Sequence, residues 1–453
     1  MPKQSHRAVV NLMDNSTIQL WNSELDRLFS DITLTENGDI CYTTTGDLFL
    51  DVLFKTDYFS EHPEEVKLGK SIVEKVFAMF IRDPRYGVGK RDLGRHLLEQ
   101  TGASFDEIFY AGRADDLWRM RFEFVDEIKR RIDSDDEYKE LYKKWLPRYS
   151  SKDSDMARQI AKRWNMSKQE YGHYVKCDRT VENLLSRKRE EEIIFEHVPG
   201  LAGLKYSKTF ERKCAERYAE YLKKVEEGKA QLHLSTVNCY DIYCNHSIDQ
   251  DLFFEKYLED IDLNGSWIPI VDVSGSMTNK NDSIGKALSI GYTLSRTSTY
   301  APNEFLTFSV KPQLIRVSGK FTQDMHDMDR AYWDNNTDLS KVMSLLKEIK
   351  SSYPDWLVIL SDMQFDQGSC QSVHELMNHF RAIGAPTKIL WWNFRCNTVP
   401  EKDSDGNVYL SGYNPRLLQY LQAGFDGKRF LSTLLQAYQM QFHAWEDLRN
   451  RVE

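Results

Sequence analysis

The sequence predicts a two-part α plus α/β protein: an N-terminal region of packed helix pairs, then a Rossmann-like domain around a mostly parallel sheet. Two observations predict it. Between Leu68 and Lys224 apolar residues recur at helical spacing, with almost no strand signal. Near Gly265 that pattern gives way to short apolar runs alternating with helical segments. Such alternation is the mark of a parallel sheet covered on both faces by helices. The expected divisions are an N-terminal segment over 1–36, a helical region over 37–262 and an α/β domain over 263–453.

Each element follows from local pattern. The first 30 residues show little. Gly38–Phe54 runs from a polar stretch into an apolar helix or strand. Leu68, Ile72, Val73, Val76, Phe77, Phe80 and Ile81 fall on one helix face. Further helices are expected around Arg91–Gln100, Asp115–Ile132, Asp136–Trp145 and Asp153–Asn165, many with Asp or Ser in capping position. Each amphipathic face needs a neighbour to bury it, so the helices stack. In the second part, strands are expected at Ser266–Val273, Glu304–Val310, Gln313–Val317, Trp356–Leu360 and Lys388–Asn393. Helices are expected between them at Asp282–Thr297, Leu339–Lys350 and Ser372–Ile383, with a long closing helix at Phe430–Arg451.

Composition narrows the function. A formal net charge of -9 leaves no global basic field, so any nucleic-acid contact must come from a local patch. The first ten residues hold no apolar signal core, and no apolar run is long enough to span a bilayer. The seven cysteines are scattered, which suits reduced thiols. A cytoplasmic location is expected, or a virion if the protein is viral, with no membrane partner.

The strongest motif is Asp272-Val-Ser274-Gly-Ser276-Met277. It follows the apolar run WIPIV and precedes a helix, so a strand end presents one carboxylate and two hydroxyls at alternate positions. Gly275 lets the chain turn between the serines. Asn336-Thr337-Asp338 precedes a second helix, and Ser361-Asp362-Met363 follows the strand WLVIL. Ligands of such sheets bind at the carboxyl ends of the strands. Three loops at one sheet edge would therefore converge on one ion. Hard oxygen ligands suit Mg²⁺, or Mn²⁺ in its place. The pattern resembles the metal-ion-dependent adhesion site of von Willebrand factor A domains. The resemblance implies that Ser274 and Ser276 bind the metal directly and Thr337 joins in some ligand states. Asp272 and Asp362 then act directly or through water, and one coordination position is left for a partner's acidic oxygen.

A catalytic inventory is missing. A haloacid-dehalogenase-type site needs a second aspartate two residues after Asp272, where Ser274 stands. No Ser-His-Asp or Cys-His arrangement can be placed, and the phosphate loop GxxxxGK[ST] is absent. No enzyme activity and no nucleotide cofactor are expected.

Two basic segments could meet RNA: Arg82, Arg85, Lys90, Arg91 and Arg95 between helices, and Lys205, Lys208 and Arg212 on a helix. Tyr86, Tyr206 and Phe210 lie near them, as base stacking requires. Interhelical ion pairs and core aromatics are the structural alternative. Cys239, Cys244 and His246 have a loose zinc-like spacing but lack a second ligand pair.

The resemblance extends along most of the chain. It is carried by Val198–Phe210 (VPGLAGLKYSKTF), Arg217, Tyr221-Leu222 and Gly228-Lys229-Ala230. Asn37–Ile40, Thr45-Gly46, Ile81-Arg82, Gly89-Lys90-Arg91, Leu306–Ser309 and Ser361–Asp366 add to it. These look like an uncharacterised family of plants and giant viruses, similar in layout to the TROVE-domain Ro autoantigen. That likeness implies a HEAT-like helical region, a von Willebrand A domain, and structured RNA as partner. The alternative partner is a protein that offers an acidic residue to the metal, making the chain a scaffold or particle component.

Overall fold

The computed structural model describes residues 32–418 except 85–86, 112, 137, 177–179, 280, 309–310, 329–338, 350–351, 385–386, 402–406 and 416. Arg85, Tyr86, Thr337 and the expected closing helix at 430–451 lie outside the described residues.

Local capping starts the helical half. Ser71 Oγ accepts from the Glu74 amide at 3.2 Å while the Glu74 carboxylate accepts from the Ser71 amide at 3.2 Å. This reciprocal box satisfies two of the orphan amides of a helix start. The helix runs Ile72–Arg82 and stops at Asp83, before Pro84. The next, Arg91–Gln100, crosses it so closely that a Cβ on Gly94 would lie 2.6 Å from Arg82 Cα. Only glycine fits there.

Helices follow at Phe105–Ala111, Ala114–Met120, Phe124–Asp133, Lys139–Trp145, Ser154–Arg163, Lys168–Tyr174 and Val181–Ser186. Beyond Val181–Ser186 come Gly200–Lys213, Ala215–Glu226, Cys239–Tyr243 and Gln250–Ile261. The single expected segment Asp115–Ile132 is thus two helices, broken after Met120.

The second half is a six-stranded sheet. A short hairpin, β1 (Ile32–Leu34) and β2 (Ile40–Tyr42), precedes it in the chain. The sheet strands are β3 (Trp267–Asp272), β4 (Glu304–Phe308), β5 (Gln313–Arg316), β6 (Trp356–Ser361), β7 (Lys388–Asn393) and β8 (Val408–Ser411). Their order is β5-β4-β3-β6-β7-β8, with only β4–β5 antiparallel. From β3 the chain goes to β4 on one side and later to β6 on the other. The switch point therefore lies between the carboxyl ends of β3 and β6. Pro269 interrupts no ladder with β4, whose pairing begins at Ile270.

Alternate side chains of the strands enter two cores. Val271, Val358, Leu360, Leu390 and Trp392 join a core that continues into the helical half. The helix Ser283–Thr297 supplies Ile284, Leu288 and Leu294 to it. Ile268, Ile270, Leu357, Ile359 and Trp391 pack on the other face, with Leu50 and Phe54 from the chain's early part. The helix that carries those two, Leu48–Phe54, resolves the helix-or-strand expectation for that segment. Residues 32–56 therefore bridge the two parts: Leu50 and Phe54 face the sheet, while Val52 and Leu53 join the core of the helical half and Phe49 packs on Phe77, ring centroids 4.8 Å apart. The Thr35 hydroxyl donates to Phe365 O at 2.7 Å, Asp39 accepts from the Cys370 amide, and Thr56 meets Ser411 at 2.7 Å.

One contact near β7 gives a pH prediction. Glu401 is buried, accepts from Trp391 Nε1 at 2.7 Å and Asn407 Nδ2 at 2.6 Å, and meets His374 Nε2 at 3.1 Å. The hydrogen bond to Glu401 raises His374 to about 9. A raised histidine stabilises the fold fully below its unfolded pKa of about 6.5 and loses that effect as pH climbs through its folded value. Urea midpoints of wild type and His374→Gln should differ at pH 6 and converge by pH 10. A constant difference across that range would refute the ion pair's role.

Candidate metal centre

Asp272 ends β3 and Ser361 ends β6, and the two strands are hydrogen-bonded neighbours. The register alone brings the two loops together. Asp272 Oδ1 accepts from the Ser274 amide at 2.9 Å, and Oδ2 accepts from Ser361 Oγ at 2.5 Å. A single 3-10 turn, Gly275–Met277, aligns the hydroxyls so that Ser274 Oγ and Ser276 Oγ stand 3.0 Å apart. Asp362 Oδ1 accepts from the Gln364 amide at 3.3 Å. Met363 takes a left-handed φ of 61°, so the chain bends sharply just beyond Asp362.

The electrostatics are strained. Asp272 and Asp362 are both fully buried. Burial first, and then the Asp362 charge, push Asp272 up to about 7. Burial raises Asp362 too, against the pull of the Ser276 hydroxyl and the Arg395 guanidinium. Asp362 Oδ2 is buried without a hydrogen-bond partner, with Arg395 Nη1 4.0 Å away. Two desolvated carboxylates with an orphaned oxygen are costly unless a cation joins them. The surrounding donors are hydroxyls and carboxylates, the hard set that Mg²⁺ takes. The residues present fit a divalent ion.

The structure brings together Asp272, Ser274, Ser276 and Asp362 of the expected ligands; Thr337 lies outside the described residues. Three further groups surround these residues. Ser361 holds Asp272. Arg395 follows the end of β7, the next strand beyond β6. Glu36, in the β1–β2 turn, adds its negative charge to the push on Asp362. The Glu36 amide is held by Gln364 Oε1 at 2.7 Å.

The expected RNA contacts divide. Arg82 is a correction: it is buried, and its Nε donates to Asp116 Oδ2 at 2.8 Å, so it cannot reach a phosphate. Arg91 donates to Asp115 at 2.6 Å, Arg95 pairs with Asp92, and Lys90 pairs with Asp57. Arg113 and Arg119 also bind Asp115. The segment is chiefly an interhelical ion-pair network. Burial alone would raise Asp115, but this ring of guanidiniums holds it below its ordinary value.

Lys205, Lys208 and Arg212 are exposed and share one face of the helix Gly200–Lys213. Of the expected aromatics, Phe210 is buried against Phe195 and Tyr218, whereas Tyr206 is half-buried with Lys205 Nζ 5.0 Å from its ring centroid. Cys239 is buried against Ser289 while Cys244 is exposed, so no zinc pair forms there. Among the described residues no helix is long and apolar enough to cross a membrane.

Comparisons with known proteins find matches along much of the chain. A domain of unknown function (DUF7788) matches residues 266–429, and another (DUF2828) matches residues 124–259. The chain is 22% identical to "Uncharacterized protein L728" of Acanthamoeba polyphaga mimivirus, over 90% of this chain and 88% of that protein. This fits the expected likeness to a giant-virus protein. The crystal structure of the Ro (RSR) protein of Deinococcus radiodurans is similar at a TM-score of 0.40 and 12% identity, covering 85% of this chain and 86% of that one.

Proposed function

We propose that this chain is a non-enzymatic binding protein whose A-type domain presents Mg²⁺ to an acidic oxygen of its partner. Ser274, Ser276, Asp272 and Asp362 hold the ion, and Thr337 joins them in some ligand states. The observation that carries the reading is the orphaned, buried Asp362 Oδ2 beside a second buried carboxylate at the sheet's switch point. Bound Mg²⁺ supplies a Lewis-acidic position for a phosphate or carboxylate oxygen. The protein's own residues set the loops and exclude water from the two fully buried carboxylates.

RNA is the partner class proposed. The exposed basic face of Lys205, Lys208 and Arg212 supports it, as does the family resemblance. The test is purification from cells at low salt with Mg²⁺, followed by sequencing of co-purifying RNA, beside Asp272→Ala. The expected result is enriched structured RNA that is lost steeply as salt rises and is depleted in the variant. A protein partner lost in the variant, with no RNA, would replace RNA by the scaffold reading. Retention of every partner by the variant would sink the metal-dependent reading.

A further inference from the structure

Beside the metal loops lies a cleft that neither the carboxylate site nor the basic helix face uses. It encloses about 190 Å³ and is lined by Asp57, Asn281, Lys286, Phe394, Gly412 and Tyr413. It is built from both halves of the chain. Lys286 stands in the first turns of the helix Ser283–Thr297, just past the serine loop. Phe394 follows β7, and its amide donates to Ser361 O at 3.0 Å, so that wall of the cleft adjoins the metal loop. Asp57 comes from the helix Thr56–Glu61. Gly412 and Tyr413 are shared with a second cavity of about 140 Å³ that holds Lys90, Ser235, Thr236 and Asn238.

Lys286 is the unusual member. Its Nζ lies 4.6 Å from the Tyr413 ring centroid and 5.4 Å from that of Tyr240. Among the described residues no carboxylate is within ion-pair distance of it. Burial, against the partial support of Asp57, lowers its pKa, and the nearby Lys90 charge lowers it further. Asp57 is itself engaged with Lys90, and Asp282 accepts from Tyr240 Oη at 2.9 Å. Two ammonium groups therefore stand among two acidic neighbours, Asp57 and Asp282, that are both already engaged, and the Phe394 and Tyr413 rings form part of the wall. An anion entering such a place is held more strongly than one at an open surface. Hydroxyls and amides line the adjoining cavity, as a phosphate ester with polar substituents needs.

We infer that the Lys286 cleft, with the adjoining cavity that holds Lys90, is a phosphate-binding subsite next to the proposed metal position, taking a phosphate carried on RNA or on a free nucleotide. The inference deepens the RNA reading but does not need it, since a mononucleotide would fill the same space.

The test uses the full chain in EDTA, so that no divalent ion can bind phosphate. Inorganic phosphate, adenosine monophosphate, and an RNA oligonucleotide with and without a 5′-phosphate are titrated, with affinity read by calorimetry and ³¹P line width. Lys286→Gln is expected to weaken phosphate binding at least tenfold. Lys286→Arg should retain it. Unchanged affinity in Lys286→Gln, or absence of binding by wild type, overturns the subsite. An equal loss in Lys223→Gln, an exposed lysine outside both the cleft and the basic helix face, overturns it too, because that marks general charge attraction. Nucleotide and RNA binding with equal strength would leave the subsite standing and count against RNA as partner. Thermal melting of Lys286→Gln checks folding, and the arginine variant keeps the proposal testable if glutamine destabilises the chain.

Discussion

Asp116→Ala should cost the helical half roughly 3–5 kcal/mol, the range for breaking a buried ion pair by removing one partner. Asp116 is fully buried, and Arg82, itself 2% exposed, donates two hydrogen bonds to its Oδ2. The Arg113 amide adds a third at 3.2 Å. Arg95 lies 3.5 Å from the other oxygen and Arg91 3.9 Å. Removing the carboxylate leaves one guanidinium buried with no counter-charge, at the crossing where Gly94 meets the Arg82 backbone. The apolar double variant Arg82→Met/Asp116→Leu should recover most of the loss, because it leaves no charge uncompensated. Urea unfolding followed by circular dichroism measures both. Equal damage in the single and double variants would place the effect in packing instead of charge.

The second large effect concerns the metal loops. If the proposed site holds Mg²⁺ in the native state alone, the ion should stabilise the fold by about 2.7 kcal/mol at a hundredfold excess over its dissociation constant. Asp272→Asn should abolish that increment. The same change should leave the metal-free protein as stable as wild type or more so. It removes one of two buried like charges while keeping the size of the side chain and an acceptor for Ser361 Oγ. A simple structural aspartate behaves the opposite way, losing stability in both conditions. Thermal melts with Mg²⁺ and with EDTA separate the two.

How far the sequence carried the fold can be read from single elements. Lys388–Asn393 and Arg91–Gln100 run as expected, because buried strands and amphipathic helices write their period into the residues. The hairpin Ile32–Tyr42 and the strand Val408–Ser411 went unread. The three-residue strands of the hairpin are too short for alternation to show, and Val408–Ser411 is buried throughout, so it carries no alternation to read. The motif brought Asp272, Ser274, Ser276 and Asp362 into view, since one carboxylate and two hydroxyls at alternate positions need no tertiary knowledge. Ser361, Glu36 and Arg395 needed it. Arg395 reaches Asp362 only because β7 lies beside β6, and Glu36 only because the first hairpin folds back over the loop after Asp362. The basic segment around Arg82 misled for a physical reason: charge in sequence does not say which way a side chain turns. The partner aspartates are distant in sequence: Asp116 lies 34 residues on from Arg82, Asp115 lies 24 on from Arg91, and Asp57 lies 33 before Lys90.

The central claim is that buried carboxylates at the switch point hold a divalent ion. Mn²⁺, titrated into the metal-free full chain and followed by the loss of its free-ion electron paramagnetic resonance signal, tests it most directly. One site per chain is predicted, displaceable by Mg²⁺, and lost in Asp272→Ala and Asp362→Ala. Stoichiometric binding that survives both substitutions, or no binding at millimolar Mn²⁺, would contradict the account.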